Sequence, residues 1–158
     1  MYSYNMNQPE VEKYDNTKFM VPFCIEQVAI GEGEEAVQQY RARELFTAKS
    51  PSLAEKRTLI AGALNQDVGA YIYEHYDPGT QQTFQAMLAM DDTPEETKTA
   101  IKTVFPWVQA CLKYYYKNKA EILKSNIPEL IVWDFSQFDA AKPDVSLGSI
   151  VSSAETPK

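Results

Sequence analysis

Apolar residues return every third or fourth position from Leu53 through Ile60, Leu64, Val68, Tyr71 and Ile72 to His75. That period predicts a helix over residues 51–76. Its start carries two alternative signals, Ser50 capping ahead of Pro51, or Ser52 paired with Glu55 as a capping box. Gly62 and Gly69 weaken the pattern locally without breaking it. At Asp77-Pro78-Gly79 the chain either turns or starts afresh, and Phe84, Met87 and Leu88 mark one side of a short helix over 79–90. The segment DDTPEE then announces a last helix over 94–125, with Thr93 as cap, Pro94 at the first position and Glu96 closing a T-x-x-E box. At 1.5 Å per residue that helix would reach ~48 Å. Pro106 lies inside it, so a kink is expected near 102–106, or else two helices meeting there.

The rest of the chain is less periodic. Residues 34–49 have a helix-favouring composition, with Ala36, Val37, Tyr40, Leu45 and Phe46 as the candidate buried side. Residues 1–23 are polar and tyrosine-containing, with Pro9 and Pro22, and predict an extended arm that needs something to lie against. CIEQVAI at 24–30 fits a short strand or a lead-in, and ELIVWDFSQF fits a strand or an apolar strap over the helices. The end, GSIVSSAETPK, predicts a loose tail over 148–158. The expected fold is mostly α: about four helices (34–49, 51–76, 79–90 and 94–125) in one domain over 24–147, with an extended arm and an irregular or short-strand C-terminal segment.

The last helix carries the most information. On a wheel of ~100° per residue, Ile101, Val104, Val108, Cys111, Leu112, Tyr115 and Ile122 share one side. Lys98, Lys102, Lys113, Lys117 and Lys124 gather opposite, in a stripe that reads first as a solvated face. The run Tyr114-Tyr115-Tyr116 is therefore three features. Tyr115 joins the core side, Tyr114 joins the flank with Trp107, and Tyr116 sits at the edge of the lysines.

Composition narrows the function. The 158 residues carry a net charge of −7, which argues against nucleic acid as a partner. Ten tyrosines against seven phenylalanines suit half-buried positions and interfaces. Cys24 and Cys111 stand in no ligand or redox spacing and read as reduced thiols. The N-terminus lacks the basic and apolar regions of a signal peptide, and no run approaches the ~20 apolar residues of a spanning helix. No membrane association is expected. One histidine excludes HExxH and His-rich metal sets, and there is no CxxC, GxGxxG, GxxxxGK[ST] or GxSxG. His75 beside Asp77 or Glu74 is the one candidate general base; a helix-terminal or core histidine is the simpler reading. Asp91, Asp92, Glu95 and Glu96 lack the calcium-loop pattern, and helix capping accounts for them. No catalytic residue, metal ligand or cofactor is assigned.

WVQACLKYYYKNKAEI, preceded by HYDPGTQQTFQAML and followed by WDFSQFDAAKPDVSL, resembles small tail or tail-fibre region proteins of tailed bacteriophages over residues 55–147. The resemblance implies a structural or assembly role and carries over no functional residue. Together these features predict a protein that acts by protein–protein contacts, with copies of itself and with other virion proteins, made in the host cytoplasm and then held in the virion. The expected interface residues are Trp107, Tyr114, Tyr116, Trp133, Phe135 and Phe138, with the arm 1–23. The alternatives are a small helical regulator or inhibitor of one host protein, or a small enzyme with a pocket around His75.

Overall fold

The computed structural model describes residues 1–154, so residues 155–158 of the expected tail lie outside the described residues. The fold is mixed α/β, not mostly α. Four strands, β1 (Ser3–Asn5), β2 (Glu12–Lys13), β3 (Phe19–Ile30) and β4 (Val37–Thr47), form one antiparallel sheet in the order β1-β4-β3-β2. Among the described residues five α-helices follow: α1 (Leu53–His75), α2 (Pro78–Ala89), α3 (Glu95–Lys102), α4 (Val104–Lys124) and α5 (Leu147–Ala154). Two compact units divide the chain, Met1–Asn65 with Tyr116–Asp134, and Gln66–Tyr115 with the chain from Phe135 on. The division falls inside α1 and α4, each of which gives a half to both.

In the first unit the expected helix over 34–49 is strand β4, paired with β3 from Ile30↔Val37 to Phe19↔Thr47. The composition of 34–49 suits a helix, but strand pairing is decided by a partner outside the window. That partner is β3, whose twelve residues include six hydrophobic or aromatic ones before Glu26. Gly31 and Gly33, with φ of 106° and 62°, take the positive dihedrals that turn one strand back on the other. The arm 1–23 has the sheet to lie against. Its two ends pair with the sheet as β1 and β2, and its last residues belong to β3. Pro22 is tolerated in a strand because β2 pairs only with Phe19 and Met20, so no bond to that neighbour is lost.

A bulge interrupts β3. Phe23 pairs with Arg43 and Glu26 with Arg41, which leaves Cys24 and Ile25 together opposite Ala42. Cys24 has φ 49°, the left-handed conformation that a bulge residue can take. Before the bulge the strand is buried on both faces; beyond it the hairpin passes into solvent. In the same unit Ile60 and Leu64 of α1, Ile122 of α4 and Trp133 are buried as well. Phe23 stacks on Trp133 at 5.8 Å between centroids, and the Arg43 guanidinium lies 4.7 Å over the Phe23 ring. Arg57 closes the end of α4, donating to Ser125 O at 2.7 Å and to Asn126 Oδ1 at 3.2 Å.

The second unit holds the helical elements that periodicity placed. Phe84 of α2, Ile101 of α3, and Val104, Trp107, Cys111 and Tyr115 of α4 are buried together with Val68, Ile72 and Tyr76. The expected last helix over 94–125 is two helices, broken at Thr103, with Pro106 in the first turn of α4 where its missing N–H costs no helical bond. The box expected from Thr93 does not form: Pro94 holds the cap position, with no side-chain hydrogen bond there. ELIVWDFSQF is no strand. It supplies 3-10 turns at Pro128–Leu130 and Phe135–Ala141, and α5 occupies the start of the expected loose tail.

At α1 the Ser52–Glu55 box is the signal that operates. Ser52 N donates to Glu55 Oε2 at 2.8 Å and Glu55 N donates to Ser52 Oγ at 3.2 Å. Lys49 adds an ion pair at 2.6 Å, and hydrogen bonds from Lys49 and Ser52 hold the Glu55 carboxyl down to about 2, from 4.5. A depressed carboxylate stabilises the fold above its unfolded pKa, and that contribution is lost as pH falls from 4.5 towards 2. Glu55→Gln is therefore expected to flatten the fall of Tm with acidity in that window, read by circular dichroism melts at a series of pH values.

Candidate functional site

Most of the aromatic residues expected at an interface are used inside the chain. Trp107 is 4% exposed, and Trp133 and Phe135 are equally enclosed. Trp107 Nε1–H donates to Phe138 O at 3.0 Å, and its ring meets Tyr71, His75 and Tyr76 at 5.6–5.7 Å. Tyr114 presents its edge to Phe135 and Phe138 at 5.4 and 5.6 Å. Tyr71 stacks on Phe135 and donates its hydroxyl to Asp139 Oδ1 at 2.5 Å, while Tyr76 donates to Pro143 O at 2.8 Å. These contacts bind the segment 135–143 as a strap onto α1 and α4. Of the six expected residues, Tyr116 alone stands in solvent, at 62% exposure.

His75 is half-buried with its ring against the edges of Tyr71 and Trp107, at 5.0 and 5.6 Å. It packs as an aromatic member of that cluster. Burial pushes the Cys111 thiol up to about 11, which leaves it protonated and unreactive at neutral pH. Among the described residues no group of three histidine, cysteine or carboxylate side chains is arranged to hold a metal ion. No helix among them is long and apolar enough to cross a membrane.

Exposed apolar side chains are found on the helices and their connections, among them Tyr73, Met90 and Leu123, and also on or beside the sheet. Tyr2, Tyr4, Tyr14, Ile30, Val37 and Phe46 are all exposed. Tyr14 sets its edge against Phe46 at 5.0 Å, so two aromatic rings support each other in solvent. At the other end, Arg41 is held by Glu26 through its Nε, at 3.0 Å, and through a second guanidinium nitrogen. Its guanidinium lies 4.6 Å over the Tyr2 ring, and Tyr4 is its register partner on β1. Burial raises the Tyr2 phenol above its usual range, against the lowering effect of Arg41. The Arg41–Glu26–Tyr2 group thus braces the base of the hairpin tip.

The tip itself is Glu26–Ile30 paired with Val37–Arg41. Because pairing alternates faces, Glu26, Val28 and Ile30 share a face with Val37, Gln39 and Arg41, and Gln27 and Ala29 share the other with Gln38 and Tyr40. Among the described residues β2 reaches only Phe19 and Met20, and β1 only Tyr40–Ala42. No strand pairs with the outer edge of residues 27–30. None of those four residues is charged or proline.

The class these observations define is a mixed α/β protein with a half-barrel sheet, in which Trp107, His75 and Trp133 serve packing and several exposed apolar groups lie on or beside the sheet. Compared with family models, curated proteins and solved structures, the chain matches none of them.

Proposed function

We propose that the protein is a structural or assembly subunit that works through protein–protein contacts, with copies of itself and with other proteins of a tailed-phage particle, and performs no chemical step. One observation supports the contact role: by strand register Tyr4, Ile30 and Val37 stand exposed on one face of the four-stranded sheet, with exposed Tyr2 beside them under Arg41. Apolar side chains exposed singly need no explanation, whereas a collected set marks an interaction surface. Tyrosine suits that use, since its ring gives contact area and its hydroxyl keeps the unbound surface wet. The phage setting is supported by the resemblance of residues 55–147 and by nothing else in the chain.

Native mass spectrometry of the purified protein, with immunoblotting of particles purified from cells that express it, tests the proposal. Oligomers, or incorporation into particles, are the expected results. A strictly monomeric protein missing from particles overturns it, and a one-to-one complex with a single host protein replaces it with the regulator reading.

A further inference from the structure

We infer that the outer edge of β3 at Gln27–Ile30 is a self-association surface, on which the same edge of a second copy adds antiparallel to join two four-stranded sheets into one. This deepens the assembly reading above by naming the partner and the atoms that meet it.

The argument starts from hydrogen bonding. An exposed strand edge presents a row of backbone N–H and C=O groups whose spacing only another extended backbone matches, so the occupant is a strand. Proteins that stay monomeric block such edges with lysine, proline, a bulge or a very short strand. Here β1 and β2 are short, at three and two residues, and so protect the two ends of the sheet. The outer edge of 27–30 has none of these devices. The bulge at Cys24–Ile25 comes before it, at the point where burial ends, and separates the covered half of β3 from the open one.

Charge permits a second copy here, and the residue pattern of the edge selects it. With a net charge of −7, most pairs of surfaces on two copies repel. Residues 27–30 are uncharged, and Glu26 at the base of the tip is already neutralised by Arg41. An antiparallel pairing of identical strands is also closed by a two-fold axis, since residue i meets j and j meets i. Centred on Ala29, it sets Val28 of each copy opposite Ile30 of the other, so four β-branched side chains form one strip flanked by Val37 at both ends. Such cross-strand apolar pairs are the ones that stabilise a ladder. Ile30 and Val37, 42% and 45% exposed, are the residues this strip would cover.

Sedimentation velocity over a concentration series tests it with three variants. Wild type is expected to show a concentration-dependent dimer. Val28→Lys with Ile30→Lys sets lysine opposite lysine in both cross-strand pairs, and Val28→Glu with Ile30→Glu does the same with glutamate. Each is expected to be monomeric alone, with a melting curve like wild type, and the equimolar mixture is expected to recover the dimer. Ala29→Lys, a milder change that meets itself at the two-fold axis, is expected to weaken the dimer by itself and reads the same surface should a double variant fold poorly. Dimerisation of the lysine variant as strong as wild type overturns this inference and leaves the assembly reading standing. A monomeric wild type that still enters particles does the same. A monomeric wild type absent from particles overturns both.

Discussion

Trp107→Ala is expected to lower the unfolding free energy by ~3–5 kcal/mol, the range for deleting a large buried aromatic and leaving a cavity. The site allows little collapse, because the ring is held by Tyr71, His75 and Tyr76, three rings fixed to α1 or its end. The change also strips the Phe138 carbonyl of its donor, Trp107 Nε1–H at 3.0 Å. That bond ties the strap to α4, so its loss acts on the whole segment 135–143. Trp107→Phe keeps a six-membered ring but loses the donor and part of the indole, and is expected to cost ~1–2 kcal/mol. Urea unfolding followed by circular dichroism separates the two. A cost for the alanine variant below the phenylalanine figure would mean the strap is not anchored at this residue.

The three tyrosines are expected to respond in three different ways. Tyr115 is 5% exposed on the inner side of α4, level with Cys111 and Ile122, so Tyr115→Ala is expected to cost ~3–5 kcal/mol. Tyr116→Ala, at the exposed position, is expected to stay within ~0.5 kcal/mol of wild type. Tyr114→Ala falls between, at ~1–2 kcal/mol, because it loses edge contacts with Phe135 and Phe138. Denaturant midpoints of the three variants, measured side by side, give the order directly. Equal losses at all three positions would contradict the orientation of α4.

What could be read in advance follows the range of the interactions involved. The helix starting at Leu53 was legible because its apolar period and its Ser52–Glu55 box both lie within a few residues of one another. Asp77 capping Thr80 at the start of α2 is local in the same way. So is the splitting of the tyrosine run, which follows from ~100° per residue alone. Strand β4 was misread as a helix because Val37–Thr47 has no clear period of its own. Its conformation is imposed by β3, whose sequence changes character at Cys24, from the pattern of an arm to that of a lead-in.

The candidate site was missed for the same reason. An open sheet edge exists only once the sheet does, so residues 27–30 carried no signal beyond their lack of charge. Trp107, Trp133 and Phe135 read as interface residues in sequence because an aromatic residue beside polar neighbours looks alike whether it faces a partner or its own chain. The sequence by itself determined α1, α2 and the inner face of α4, all set by bonds and angles between near neighbours. The tertiary structure decided which segments became strands, which aromatics were enclosed and which backbone edge stayed open, because each depends on contacts between residues far apart in the chain.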